Sequence, residues 1–187
     1  MARGAHLIAD VPDLTRRVLV TWHFPEYPLL LPLVARQDAL VLIAQRAAWL
    51  EAVPLGAELC LFREPGGAMA VARAFRAHRP IVAMLDYCYD ETASVIADFC
   101  GYPARTPAGV FRLAHRFGYE LTVVQLDANG EPAVVDSFFP DADAVDAASR
   151  VNATLERSIF AAPARWLLWA SIDRRWLDVD YEEQASR

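Results

Sequence analysis

His23 stands at the end of a short apolar run, Arg17-Val18-Leu19-Val20-Thr21-Trp22, and is followed at once by Phe24-Pro25-Glu26. An imidazole titrates near neutrality and can take up and return a proton there. A carboxylate on its far nitrogen would orient it. Two acids qualify. Glu26 lies three residues on and reaches back if the chain turns at Pro25. Asp86 ends a second apolar run, Ile81-Val82-Ala83-Met84-Leu85, and would arrive from a neighbouring strand. The residues leave that choice open. Arg46 ends a third apolar run, and Arg105 and Thr106 fall in the stretch Gly101-Tyr-Pro-Ala-Arg-Thr-Pro107. A guanidinium there can clamp a phosphate or carboxylate through two parallel hydrogen bonds. Each feature has a plainer reading: a hydrogen-bonded strand-end histidine, and arginines in surface salt bridges. Cys88 offers a further route, a cysteine–histidine pair with a covalent intermediate, set against its use as a small buried hydrophobe.

These residues need elements to hold them. Alternation and β-branched content predict strands at about 17–22, 39–44, 59–62, 81–85, 95–99, 121–126 and 133–138. Helices are expected over 27–37, starting near Pro28, and over 47–53, 68–78, 108–117 and 149–162, the last stopped by Pro163. Residues 141–148 read as an acidic loop or helix start. The 68–78 helix carries Arg73 and Arg76, with Arg79 just beyond, a solvated face or a dock for an acidic carrier protein. Pro65-Gly66-Gly67 and Asn129-Gly130 read as turns. Strands alternating with helices give an α/β layered fold, a mixed central sheet flanked by helices. Chemistry in such sheets collects outside the carboxyl ends of strands, where His23, Arg46 and Asp86 all fall.

The chain has 187 residues, enough for one well-filled domain over 1–187. It is 55% hydrophobic with a mean hydropathy of +0.18, so some apolar surface is expected to stay exposed. All 18 basic residues are arginine and the net charge is −6, which gives nucleic-acid binding no basic tract to work with. Cys60, Cys88 and Cys100 have neither the number nor the spacing of a disulfide framework or a zinc site. A reducing cytoplasm fits. No signal sequence or spanning run is apparent, so membrane contact is at most peripheral. Trp166, Trp169 and Trp176 read as core or interface anchors.

Three blocks carry a resemblance. They are Val18-Leu-Val-Thr-Trp-His23-Phe; Ile81-Val-Ala-Met-Leu-Asp86 with Asp98-Phe-Cys-Gly101-Tyr-Pro-Ala-Arg105-Thr-Pro-Ala-Gly109; and Asn152 to Glu156, then Pro163-Ala-Arg-Trp166 and Arg174-Arg175-Trp176. Together they resemble the bacterial lipid A biosynthesis (lauroyl/myristoyl) acyltransferase family, of the lysophospholipid acyltransferase superfamily, over about residues 16–178. The resemblance implies a single-domain lysophospholipid-acyltransferase-like fold. It implies transfer of an acyl group from an acyl thioester, on acyl-carrier protein or coenzyme A, to a hydroxyl or amine. His23 would be the general base; Glu26, the nearest acid, is the expected catalytic carboxylate, with Asp86 as the alternative. Arg46, Asp86, Arg105 and Thr106 would face substrate. No cofactor is implied beyond the thioester co-substrate, and acyl-carrier protein is the implied partner, with a small-molecule or lipid acceptor. The implied location is cytoplasmic, or peripheral to the inner membrane. The chain departs from the family pattern in one place: five residues after the histidine, where the family has an acid, stands Pro28. The hydrophobic anchor common at the family's N-terminus is also not seen. The rival readings are a catalytically degenerate member that binds acyl chains or carrier protein, and a thioesterase-like hydrolase.

Overall fold

A computed structural model of the chain describes residues 6–7, 13–44, 57–88, 93–126 and 131–177. Its centre is a seven-stranded sheet of order β1-β9-β8-β2-β5-β3-β4. The strands are β1 (His6–Leu7), β2 (Arg17–Thr21), β3 (Leu40–Ile43), β4 (Glu58–Leu61), β5 (Ile81–Met84), β8 (Glu120–Leu126) and β9 (Pro132–Phe138). A separate antiparallel hairpin holds β6 (Ser94–Phe99) and β7 (Tyr102–Pro107). The five strands from β8 to β4 run parallel, while β9 and β1 add an antiparallel edge. The fold is therefore mixed α/β.

Both faces of the parallel strands are covered, which is why β2, β3 and β5 are almost wholly apolar rather than alternating. Val18, Val20, Ile81, Ala83, Leu121 and Val123 face one side. There they pack under α2 (Gly67–Arg76), α3 (Gly109–Phe117) and α4 (Ala144–Ala161). Leu19, Val41, Ile43, Val82 and Val124 face the other side, against a 3₁₀ turn (Tyr27–Leu30) and α1 (Leu31–Ala35). The chain leaves β2 towards β3 through α1 on one face. It leaves β5 towards β8, the opposite way, through α3 on the other. Right-handed crossovers require that pairing of direction with face. The carboxyl ends of β2 and β5 thus flank the point where the winding reverses, and a crevice opens at such a point.

Several expectations shift in detail. The helix expected over 27–37 is a 3₁₀ turn followed by a five-residue α-helix, since Pro28 and Pro32 deny it backbone donors. The helix expected over 149–162 starts earlier, at Ala144, where the Asp143 carboxylate accepts the Val145 N–H at 2.9 Å and caps it. The stretch 102–107 is a strand, although Pro103 and Pro107 argue against one; in a two-stranded hairpin an edge tolerates them. Cys100 and Gly101, both at positive φ (54° and 79°), make the two-residue turn between β6 and β7. The helix expected over 47–53 and the Asn129-Gly130 turn lie outside the described residues. No helix among the described residues is long and apolar enough to cross a membrane.

Candidate active site

Parallel pairing aligns Thr21 of β2 with Met84 of β5. His23 and Asp86 each lie two residues beyond that pair, so the register brings them together. The Asp86 carboxylate takes three N–H groups. Oδ2 accepts the His23 backbone N–H at 2.8 Å and the Trp166 indole N–H at 2.9 Å, and Oδ1 meets His23 Nδ1 at 2.7 Å. Asp86 is 1% exposed. Burial alone would push its carboxyl up. The His23 charge and these donors outweigh that and hold it below the ordinary carboxylate range. For His23, burial pulls the imidazole down, but the charge of Asp86 and its hydrogen bond prevail and raise it above 6.5. With Nδ1 on the carboxylate, Nε2 has no partner among the described residues, and the side chain keeps 21% exposure. A proton acceptor is oriented from behind and open in front.

The segment after α4 completes the site. Pro163–Arg165 forms a 3₁₀ turn, and the Leu167 backbone N–H donates to the His23 carbonyl at 2.9 Å. Trp166 packs against Phe99 at 5.8 Å and Trp169 at 5.1 Å between ring centroids, both edge-on. Tyr27 flanks the imidazole at 6.3 Å. Leu167 and Trp169 remain 55% and 43% exposed beside this position, and Phe160 at the end of α4 is 67% exposed. Trp169 is anchored there by its indole N–H on the Pro163 carbonyl at 2.7 Å.

Glu26, expected to be the catalytic carboxylate, is held elsewhere. Arg165 grips its Oε1 through Nη2 at 2.9 Å and Nε at 3.2 Å. The carboxylate on the imidazole is instead Asp86, the second of the two acids the sequence offered for that role. Thr106, expected at substrate as well, is fully buried; Asn152 Nδ2 donates to its hydroxyl at 3.0 Å. Arg105 is half-buried, and its backbone N–H donates to the Arg175 carbonyl at 2.8 Å. Arg46 lies outside the described residues. Cys88 and Cys100 are half-buried and Cys60 is buried, none of them in a disulfide. Of the arginines at α2, Arg73 and Arg76 are exposed, and Arg79 pairs with Glu58 at 2.8 Å and Asp38 at 3.2 Å.

Two residues beyond the expected set belong to this arrangement. Trp166 supplies a hydrogen bond to Asp86, where the sequence suggested only a packing role. Arg175 is buried behind it at 2% exposure, on a tail that pairs along β7 through Trp176 and Ala104. Its order in the chain gives no hint of this, because 80 residues separate Trp166 from Asp86. Among the described residues, no three of His, Cys, Asp and Glu gather closely enough to hold a metal ion. No protein-family model matches the chain, and no curated protein matches it.

Proposed function

We propose that the protein is an acyltransferase of the lysophospholipid-acyltransferase type, moving an acyl group from an acyl thioester to a hydroxyl or amine. One observation carries this reading: a His23–Asp86 dyad at the carboxyl ends of adjacent parallel strands, with no hydrogen-bond partner on Nε2 among the described residues. The three sequence blocks add the choice of an acyl thioester over other acyl donors. Acyl-carrier protein and coenzyme A both present that bond. Leu167 and Trp169, exposed on the segment bonded to the His23 carbonyl, offer apolar surface for the chain of such a donor.

Acyl transfer at this dyad would run through a tetrahedral intermediate. Nε2 of His23 takes the proton from the acceptor O–H or N–H as its lone pair attacks the thioester carbonyl carbon. Asp86 stabilises the imidazolium that results and keeps Nε2 aimed. The tetrahedral intermediate collapses, the C–S bond breaks, and the leaving sulfur takes the proton back from Nε2. The products are the acylated acceptor and a free thiol.

Thiol release from a panel of acyl-carrier-protein and acyl-coenzyme A donors tests this, with and without candidate acceptors. Wild type is expected to release thiol, and His23→Ala to fall by about 10²–10⁴-fold. Release that never depends on an acceptor assigns a thioesterase instead. No release from any donor, with carrier-protein binding intact, assigns a binding partner and sinks the enzyme reading.

A further inference from the structure

Arginine is almost never fully buried unless it is paired, and Arg175 is buried without touching a carboxylate among the described residues. Its Nη2 donates to Asn152 Oδ1 and lies 3.5 Å from Thr106 Oγ1. Nε and Nη1 have no hydrogen-bond partner among the described residues. The guanidinium carbon stacks 4.0 Å from the centre of the Phe99 ring. Asn152 is itself fixed by donating to the Asp98 carbonyl at 2.9 Å, so the guanidinium is held in one place. Burial draws Arg175 down to about 10. The carboxylates that act against this are Asp86 after β5 and Glu156 on α4. Glu156 is occupied, accepting the Cys100 backbone N–H at 2.6 Å. Asp86 acts the more strongly of the two, and it is reached through Phe99 and then Trp166, whose indole N–H lies on that carboxylate.

We propose that Arg175 is a positioning residue for the His23–Asp86 dyad: a counter-charge that never contacts Asp86, but favours the basic form of His23. A direct ion pair would occupy an Asp86 oxygen and take it from His23 or Trp166. At one remove, through two aromatic rings, the guanidinium cancels the buried negative charge and leaves all three donors in place. The two charges act on His23 in opposite senses. Asp86 favours the imidazolium and Arg175 opposes it, so the base neither refuses the proton nor keeps it. The other groups beside His23 are the Tyr27 ring and the Glu26–Arg165 pair, which is already internally balanced.

The inference rests on the dyad and not on acyl chemistry. Its test therefore reads titration rather than turnover, and the acyltransferase reading can fail without it. The ring resonances of His23 in the full chain, identified by their loss in His23→Ala, are followed against pH by NMR. Wild type is compared with Arg175→Gln, Arg175→Met and Arg175→Lys, each checked for native near-UV circular dichroism. Gln keeps a donor for Asn152 and serves where Met disturbs folding. His23 is expected to titrate at higher pH in the two neutral variants, and at the wild-type position in Arg175→Lys. A wild-type midpoint in the neutral variants overturns the proposal. So does an equal upward shift in Arg175→Lys, which would make the effect one of packing rather than charge.

Discussion

Asp86 and Glu26 both follow the carboxyl end of a strand, and their surroundings could hardly differ more. Asp86 is sealed in, bound by two N–H groups of His23 and one of Trp166, with no arginine in contact among the described residues. Glu26 keeps a side chain 32% exposed and shares one oxygen with both Nη2 and Nε of Arg165. Its carboxyl is lowered because the Arg165 hydrogen bond and charge outweigh the burial that raises it. The first arrangement fixes the direction of an imidazole. The second is a half-exposed ion pair, of a kind worth about 0–1 kcal/mol, that ties the turn after β2 to the turn after α4. Distance along the chain favoured Glu26, three residues from the histidine. Strand register favoured Asp86, and register decides, because it is set by every hydrogen bond of the β2–β5 ladder rather than by one turn.

Removing the Asp86 charge is the severest way to break this contrast. Asp86→Asn keeps the shape, but an amide cannot accept three N–H groups as a carboxylate does. Thiol release in the assay that tests the proposed acyl transfer is expected to fall by about 10²–10⁴-fold. The sign of the pH effect is also set. Asp86 is what raises His23 above 6.5 against its burial, so without that charge only burial remains, and the acid limb of the rate profile moves to lower pH. Stability responds separately. A carboxylate lowered in the folded state contributes stability above its unfolded value of 3.8, which is lost as pH falls through the folded value. Acid unfolding of Asp86→Asn is therefore expected to depend less steeply on pH than that of wild type, followed by circular dichroism. A rate and acid limb unchanged from wild type would remove Asp86 from the dyad.

Trp166→Phe is a milder break. It keeps the ring that packs on Phe99 and Trp169 and deletes only the N–H on Asp86 Oδ2. A hydrogen bond to a charged group is worth about 1.5–3 kcal/mol, so a loss of that size in urea unfolding is expected. The rate is expected to fall by less than in Asp86→Asn, because His23 still holds both oxygens. A loss of stability no larger than about 0.5 kcal/mol would mean that the indole packs there without bonding.

The layered α/β fold was legible because β2, β3, β5 and β8 are short apolar runs with helices between them. His23 was legible because it ends the first of these. Its partner was left between Glu26 and Asp86, because pairing order is absent from the local pattern. Nothing in residues 17–22 or 81–85 says that these strands are neighbours, although sequence order would as easily pair β2 with β3. Once β2 and β5 are known to be parallel and in register, Asp86 follows by counting. Strand β7 was hidden by two prolines, and the start of α4 by acidic residues that turned out to include its cap, Asp143. Thr106 looked like a loop residue open to ligand. It is buried because β7 is covered by α4 and the tail, a long-range consequence no local pattern carries.

Glu26→Gln gives the smallest expected effect and sharpens the comparison most. The change removes a charge from the Arg165 pair and leaves every contact of Asp86 intact. A loss of at most about 1 kcal/mol in urea unfolding is expected, with turnover within about threefold of wild type (about 0.65 kcal/mol at RT ln 3) and the acid limb in place. Arg165→Ala should mimic it, since both delete the same pair. A collapse in rate with Glu26→Gln, at unchanged stability, would mean that the turn at Pro25 swings Glu26 onto the imidazole when substrate binds. Asp86 would then be the resting partner only. The two carboxylates can thus be told apart by rate alone, because only one of them can be neutralised without cost to the base.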